Sequence, residues 1–65
     1  MSKAFAVINT FRGGSNLERI FLTEKEAMNF IAESNYSLWL EVDEYDSSTG
    51  KYLRTVYKSL QKNNL

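Results

Sequence analysis

A chain of 65 residues is one domain at most, and a domain this short buries only ~60% of the surface its unfolded form exposes, so its stability is expected to be marginal. It contains no Cys and no His, which excludes disulfides, thiol chemistry and the usual zinc, iron and copper ligands; a carboxylate site for Ca²⁺ or Mg²⁺ is the metal option that remains. Eight basic and eight acidic residues give a formal net charge of zero, which argues against a general nucleic-acid binder.

Residues 3–11 contain Val, Ile, Thr and Phe, which fit a pleated surface, and read as a strand. One side carries Phe5, Val7, Asn9 and Phe11, the other Ala4, Ala6, Ile8 and Thr10. Arg12-Gly13-Gly14-Ser15-Asn16 is a turn. It lacks the Lys-Ser/Thr and the following helix that a phosphate-binding loop needs. Leu17–Leu22 is a second strand. A hairpin across this loop is expected to place Phe11 opposite Leu17, Val7 opposite Phe21 and Ile8 opposite Ile20.

Thr23-Glu24-Lys25-Glu26 opens a helix, with Thr23 as N-cap and Glu26 completing a capping box. Glu24 and Glu26 also complement the positive end of the helix dipole. The helix runs to Glu33 or Ser34, with Ala27, Phe30, Ile31 and Ser34 on one side and Met28 flanking. Tyr36–Asp46 has a period of two and is the third strand. Ser47-Ser48-Thr49-Gly50 is a turn, and Lys51–Ser59 is the fourth strand. The expected pairs are Asp46 with Lys51, Tyr45 with Tyr52, Asp43 with Arg54, Val42 with Thr55, Glu41 with Val56, Leu40 with Tyr57 and Trp39 with Lys58. The chain is thus a single α+β domain over residues 1–65 in β-β-α-β-β order, an antiparallel sheet packed on one helix. Its core is expected over about 3–59, and residues 60–65 are expected to fray.

No apolar run approaches the ~20 residues that cross a membrane, and Met1-Ser2-Lys3-Ala4-Phe5 lacks the long apolar region of a signal peptide. With no Cys as well, a cytoplasmic location is expected. Catalysis finds little support. There is no His or Cys for proton transfer or attack, and one helix over four strands makes no deep cleft that would perturb a carboxylate. Neither enzymatic activity nor a cofactor is expected. The acidic run Glu41-Val42-Asp43-Glu44-Tyr45-Asp46 is split between two faces by strand alternation and lacks EF-hand spacing. It reads as strand-end charge paired with Lys51 and Arg54, not as a metal site.

Two surfaces are candidates for recognition. The expected register gathers Trp39, Tyr45, Tyr52, Arg54 and Lys58 on one face with Glu41 and Asp43, and Trp, Tyr and Arg are the residues that dominate binding energy at interfaces. The other surface is the apolar side of the first hairpin, Ala4, Ala6, Ile8, Ile20 and Leu22. One helix covers only one face of a small sheet, and exposed apolar patches mark interaction sites. In its general look, a compact charged and aromatic β-β-α-β-β chain without Cys, His or Pro, the sequence resembles small accessory proteins of phages and bacteria, many of which bind and modulate a larger host protein. The expected function is therefore a non-enzymatic protein–protein interaction module engaging a larger protein partner. Two alternatives are a homodimeric structural protein and a binder of single-stranded nucleic acid through the aromatic and basic face; the acids on that face weigh against the nucleic acid.

Overall fold

The computed structural model describes residues 2–35 and 37–58. Strands β1 (Lys3–Asn9) and β2 (Asn16–Phe21) are followed by helix α1 (Glu24–Glu33), then by β3 (Leu40–Asp46) and β4 (Lys51–Lys58). All four strands form one antiparallel sheet in the order β2-β1-β3-β4. The α+β architecture is the one the sequence implies. The expected start of the third strand at Tyr36, the end of the fourth at Ser59 and the tail Leu60–Leu65 lie outside the described residues.

Helix α1 begins where its capping signal stands. The Thr23 hydroxyl oxygen accepts from the Glu26 backbone N–H at 3.2 Å, and the hydroxyl donates to the Glu26 carboxylate at 3.2 Å. This satisfies one of the orphan donors of the first turn. The helix buries Ala27 and Ile31 against Phe5, Val7, Leu40 and Val42, with Phe21, Met28, Phe30, Val56 and Tyr57 partly buried around them. Phe30 meets Phe21 with ring centroids 5.6 Å apart. The helix therefore covers the odd-numbered side of β1 and the even-numbered side of β3.

The first hairpin pairs differently from the expected register. Phe21 lies opposite Phe5 and not Val7, and Ile8 lies opposite Leu17 and not Ile20. Phe11 is not in the strand at all. The Asn9 side chain accepts from the Phe11 backbone N–H at 2.8 Å, which turns the chain, and Phe11–Gly13 forms a single 3₁₀ turn closed by Gly13 at φ 74°. Thr10 instead donates both its backbone N–H and its hydroxyl to the Trp39 carbonyl, at 2.7 and 2.9 Å. The register also slips between Val7 and Ile8, leaving Glu18 as the extra residue of a bulge. That residue brings Leu17 to the same side as Ile20, where simple alternation separates them.

The second hairpin begins as expected, with Asp46 opposite Lys51 and Tyr45 opposite Tyr52. Two register slips then intervene, leaving Leu53 and Val56 as extra residues of β4. Arg54 lies opposite Glu44 rather than Asp43, Thr55 opposite Asp43 rather than Val42, Tyr57 opposite Val42 rather than Leu40, and Lys58 opposite Glu41 rather than Trp39. A physical reason is Glu44, which is only 2% exposed. A buried carboxylate needs partners, and it takes Arg54 Nε at 2.7 Å and Lys3 Nζ at 2.9 Å, one on each oxygen.

Candidate functional site: the open sheet face

Helix α1 covers one face of the sheet, so side chains on the other face have no layer of this fold above them among the described residues. Paired residues share a face, and the register arranges the open side in three rows. Leu17, Ile8, Glu41 and Lys58 form the first row, running from β2 to β4. Ile20, Ala6, Asp43 and Thr55 form the second. Ala4, Tyr45 and Tyr52 form the third, beside the β3–β4 turn. The first hairpin thus supplies an aliphatic half, and the second a polar and aromatic half.

In the aliphatic half the small β1 residues form a floor between larger neighbours. A concavity of about 490 Å³ opens there, lined by Ala4, Ala6, Ile8, Leu17, Ile20 and Tyr45 and closed at one end by Asp46, Ser47 and Gly50 of the turn. Leu17 and Ile20 stand beside it at 59% and 55% exposure. The turn is well defined. Asp46 accepts from the Ser48 hydroxyl at 2.6 Å and the Ser48 backbone N–H at 2.9 Å, and these two bonds hold its carboxyl below the usual range. Gly50 supplies the positive φ, 76°, that returns the chain into β4.

The polar half satisfies its own groups. The Thr55 hydroxyl donates to the Asp43 carboxylate at 2.8 Å. Its one proton is thereby committed, so the Tyr52 hydroxyl, 2.8 Å away, is the donor in the Tyr52–Thr55 bond. The Tyr45 and Tyr52 rings meet edge to face at 5.7 Å, a favourable geometry for their quadrupoles. A relay running Tyr52 to Thr55 to Asp43 leaves a surface that tolerates desolvation better than one with bare charge.

The residues singled out from sequence are only partly brought together. Tyr45 and Tyr52 are adjacent on the open face, and Lys58 lies on it at the far end, opposite Glu41. Arg54 belongs to the other face, bound to Glu44. Trp39 is in the 3₁₀ turn Ser37–Trp39, with its ring against Phe11 at 5.1 Å. The five therefore do not form one aromatic and basic face. Of the second group, Ala4, Ala6, Ile8 and Ile20 lie together on the open face, and Leu22 follows β2 at 74% exposure. Leu17 was not anticipated there, because only the bulge at Glu18 turns it to that side. The acidic run is divided, with Glu44 facing the helix side and Asp43 the open side. Among the described residues, no three carboxylates converge in a group able to hold a metal ion, and no helix is long and apolar enough to cross a membrane.

No protein-family model, curated protein or solved structure matches the chain.

Proposed function

We propose that this chain is a non-enzymatic protein-interaction module of the cytoplasm that docks an apolar protein surface on its open sheet face. The observation that carries this reading is the pairing of a concave aliphatic floor, Ala4, Ala6 and Ile8, with Leu17 and Ile20, both more than half exposed. Contiguous exposed apolar surface of this kind marks interaction sites, and the adjoining Tyr45–Tyr52 pair supplies the aromatic anchors that such sites favour. Zero Cys supports a reducing compartment. A small accessory protein acting on a larger one fits the same surface.

Nucleic acid fits it less well. The Tyr45 and Tyr52 rings meet edge to face, Asp43 and Glu41 share their face, and Arg54 is held on the other side by Glu44. Immobilised wild-type chain, Ile20→Lys and Tyr52→Ala, each confirmed as folded by circular dichroism, test the proposal in extract of the native cell. Both variants should retain at least about tenfold less of any protein the wild type holds. Equal retention by all three discards this face.

A further inference from the structure

The two edges of the sheet differ in what their backbones offer. The Thr10 N–H donates to the Trp39 carbonyl and the Ser47 N–H to the Ser2 carbonyl, and β1 pairs with β3 between these points without a slip. Backbone groups along a strand alternate between its two neighbours. The even-numbered residues of β1 therefore face β3, while Phe5 and Val7 face β2. On β2, Phe21 and Arg19 lie opposite those two and turn their groups inward. Ile20, opposite Ala6, and Leu17, opposite Ile8, turn N–H and C=O outward from the sheet. The other edge, β4, has two register slips and carries Lys51, Arg54 and Lys58. Bulges and cations of this kind blunt an edge against added strands. β2 has one bulge, at Glu18, and is regular from Arg19 to Phe21. Its two charges are turned back onto their own sheet. The Glu18 carboxylate accepts from the Asn9 side-chain amide at 3.0 Å, and the Arg19 guanidinium lies over the Phe21 ring, 5.5 Å from its centroid.

Resting on the reading of the open face as a protein-docking surface, we infer that the partner reaches that face as an extended antiparallel segment added to the edge of β2. The outward N–H and C=O of Ile20 bond one residue of that segment, and residues paired in this way share a face. That residue sets its side chain beside Ile20 on the open side, where an aliphatic group buries the exposed flank of Ile20 and continues the apolar surface. The next residue of the segment lies opposite Arg19, on the helix side. Among the described residues no carboxylate is ion-paired with Arg19, so an acidic residue at that position is complementary to it. The segment's chemistry is thus an alternation of aliphatic and acidic side chains. Main-chain bonds supply the affinity and the alternating side chains the selection, as in other strand additions to open sheet edges.

NMR titration of the isotope-labelled full chain with a capped peptide alternating valine and glutamate tests this. The amide signals of β2 should shift, with half-saturation below about 1 mM. The counterpart alternating valine and lysine should bind at least about threefold more weakly, and Arg19→Glu should reverse that order. A chain synthesised with an ester in place of the Ile20 amide loses one outward donor and keeps every side chain. It should retain the wild-type circular dichroism and bind the peptide about threefold to tenfold more weakly. No shift in β2 at about 1 mM peptide overturns the proposal, and so does equal binding by the ester chain. Shifts in β2 that arise on concentrating the chain without peptide make a second copy the occupant and also overturn it. The docking face fails separately. Protein capture that Ile20→Lys abolishes and the ester leaves intact keeps the face and removes the edge, whereas capture indifferent to both changes removes the two together.

Discussion

The two faces of this sheet invert the usual arrangement. The face beneath the helix contains a carboxylate, Glu44, at 2% exposure, while the face turned away from the helix displays Leu17 and Ile20. Neither is an accident of composition. Glu44 is acceptable where it lies because each oxygen has a cation, and Lys3 and Arg54 reach it from the strands on either side. It ties β1, β3 and β4 together and pins their register. Leu17 and Ile20 lie beside a floor too small to cover them. Burial in so small a domain follows from which face the single helix can reach, and what that helix leaves over is the surface available for binding.

The comparison breaks most readily on the covered side. Leu40 is 1% exposed within the helix-covered cluster, so Leu40→Ala should cost about 3 kcal/mol through lost transfer energy and a residual cavity. A chain of this length has a total stability of roughly 3–10 kcal/mol. Urea denaturation should therefore show the variant largely unfolded or with a much lower midpoint. A midpoint unchanged from wild type would mean that the covered face is not the folding core.

Glu44 should come next. The Lys3 ammonium bonded to it, and then the Arg54 guanidinium, hold its carboxyl below its ordinary value of 4.5 although burial opposes this. Asp46 is likewise held below 3.8 by Ser48. A lowered folded-state value means that the unfolded chain binds protons first. The stabilisation is thus complete above the unfolded value and lost as pH falls below it through the folded one. Stability should decline as pH falls through and below the ordinary carboxylate range. Glu44→Gln should lower the urea midpoint at pH 7 by less than Leu40→Ala does, because the Lys3 and Arg54 side chains are 48% and 62% exposed and rehydrate. It should also flatten the acid decline, leaving the share that belongs to Asp46. An acid profile identical in Glu44→Gln and wild type would show that the triad does not couple to folding.

Thr23→Ala touches neither face and weakens only the element that distinguishes them. Loss of its cap should cost about 1 kcal/mol, read as a small fall in thermal midpoint. An effect as large as that of Leu40→Ala would show that helix docking, rather than packing beneath it, limits stability.

What was legible in the sequence follows the range of the interactions. The helix start at Thr23, the turn at Ser47–Gly50 and the pairing of Tyr45 with Tyr52 depend on neighbours a few residues apart, and each is where the pattern implies. Registers further from the turns were not legible. Glu18, Leu53 and Val56 are bulge residues, and nothing local marks them. The shift at β4 is tied to Glu44 meeting Lys3, a residue 41 positions away. Trp39 alternates with Leu38 and Leu40 like a strand residue, yet its carbonyl is bonded by Thr10 and its backbone is a 3₁₀ turn. The open face was half legible for the same reason. Alternation gathers Ala4, Ala6, Ile8 and Ile20, but Leu17 joins them only through the bulge, and the same kind of slip removes Arg54 from beside the tyrosines.

The smallest effect sharpens the comparison most. Ile20→Ser removes an aliphatic side chain from the edge strand β2, in the middle row of the open face, where it is 55% exposed. If this surface contributes to the fold as the covered one does, the loss should approach that of Leu40→Ala. If it is retained for contact with another molecule, the isolated monomer should scarcely notice, with a change within about 0.5 kcal/mol. Urea denaturation at low micromolar protein measures that term. A large loss at low concentration would assign Ile20 to the core and remove the open face as a binding surface. A negligible one, with partner capture weakened, would separate the two faces by role as cleanly as the helix separates them in space.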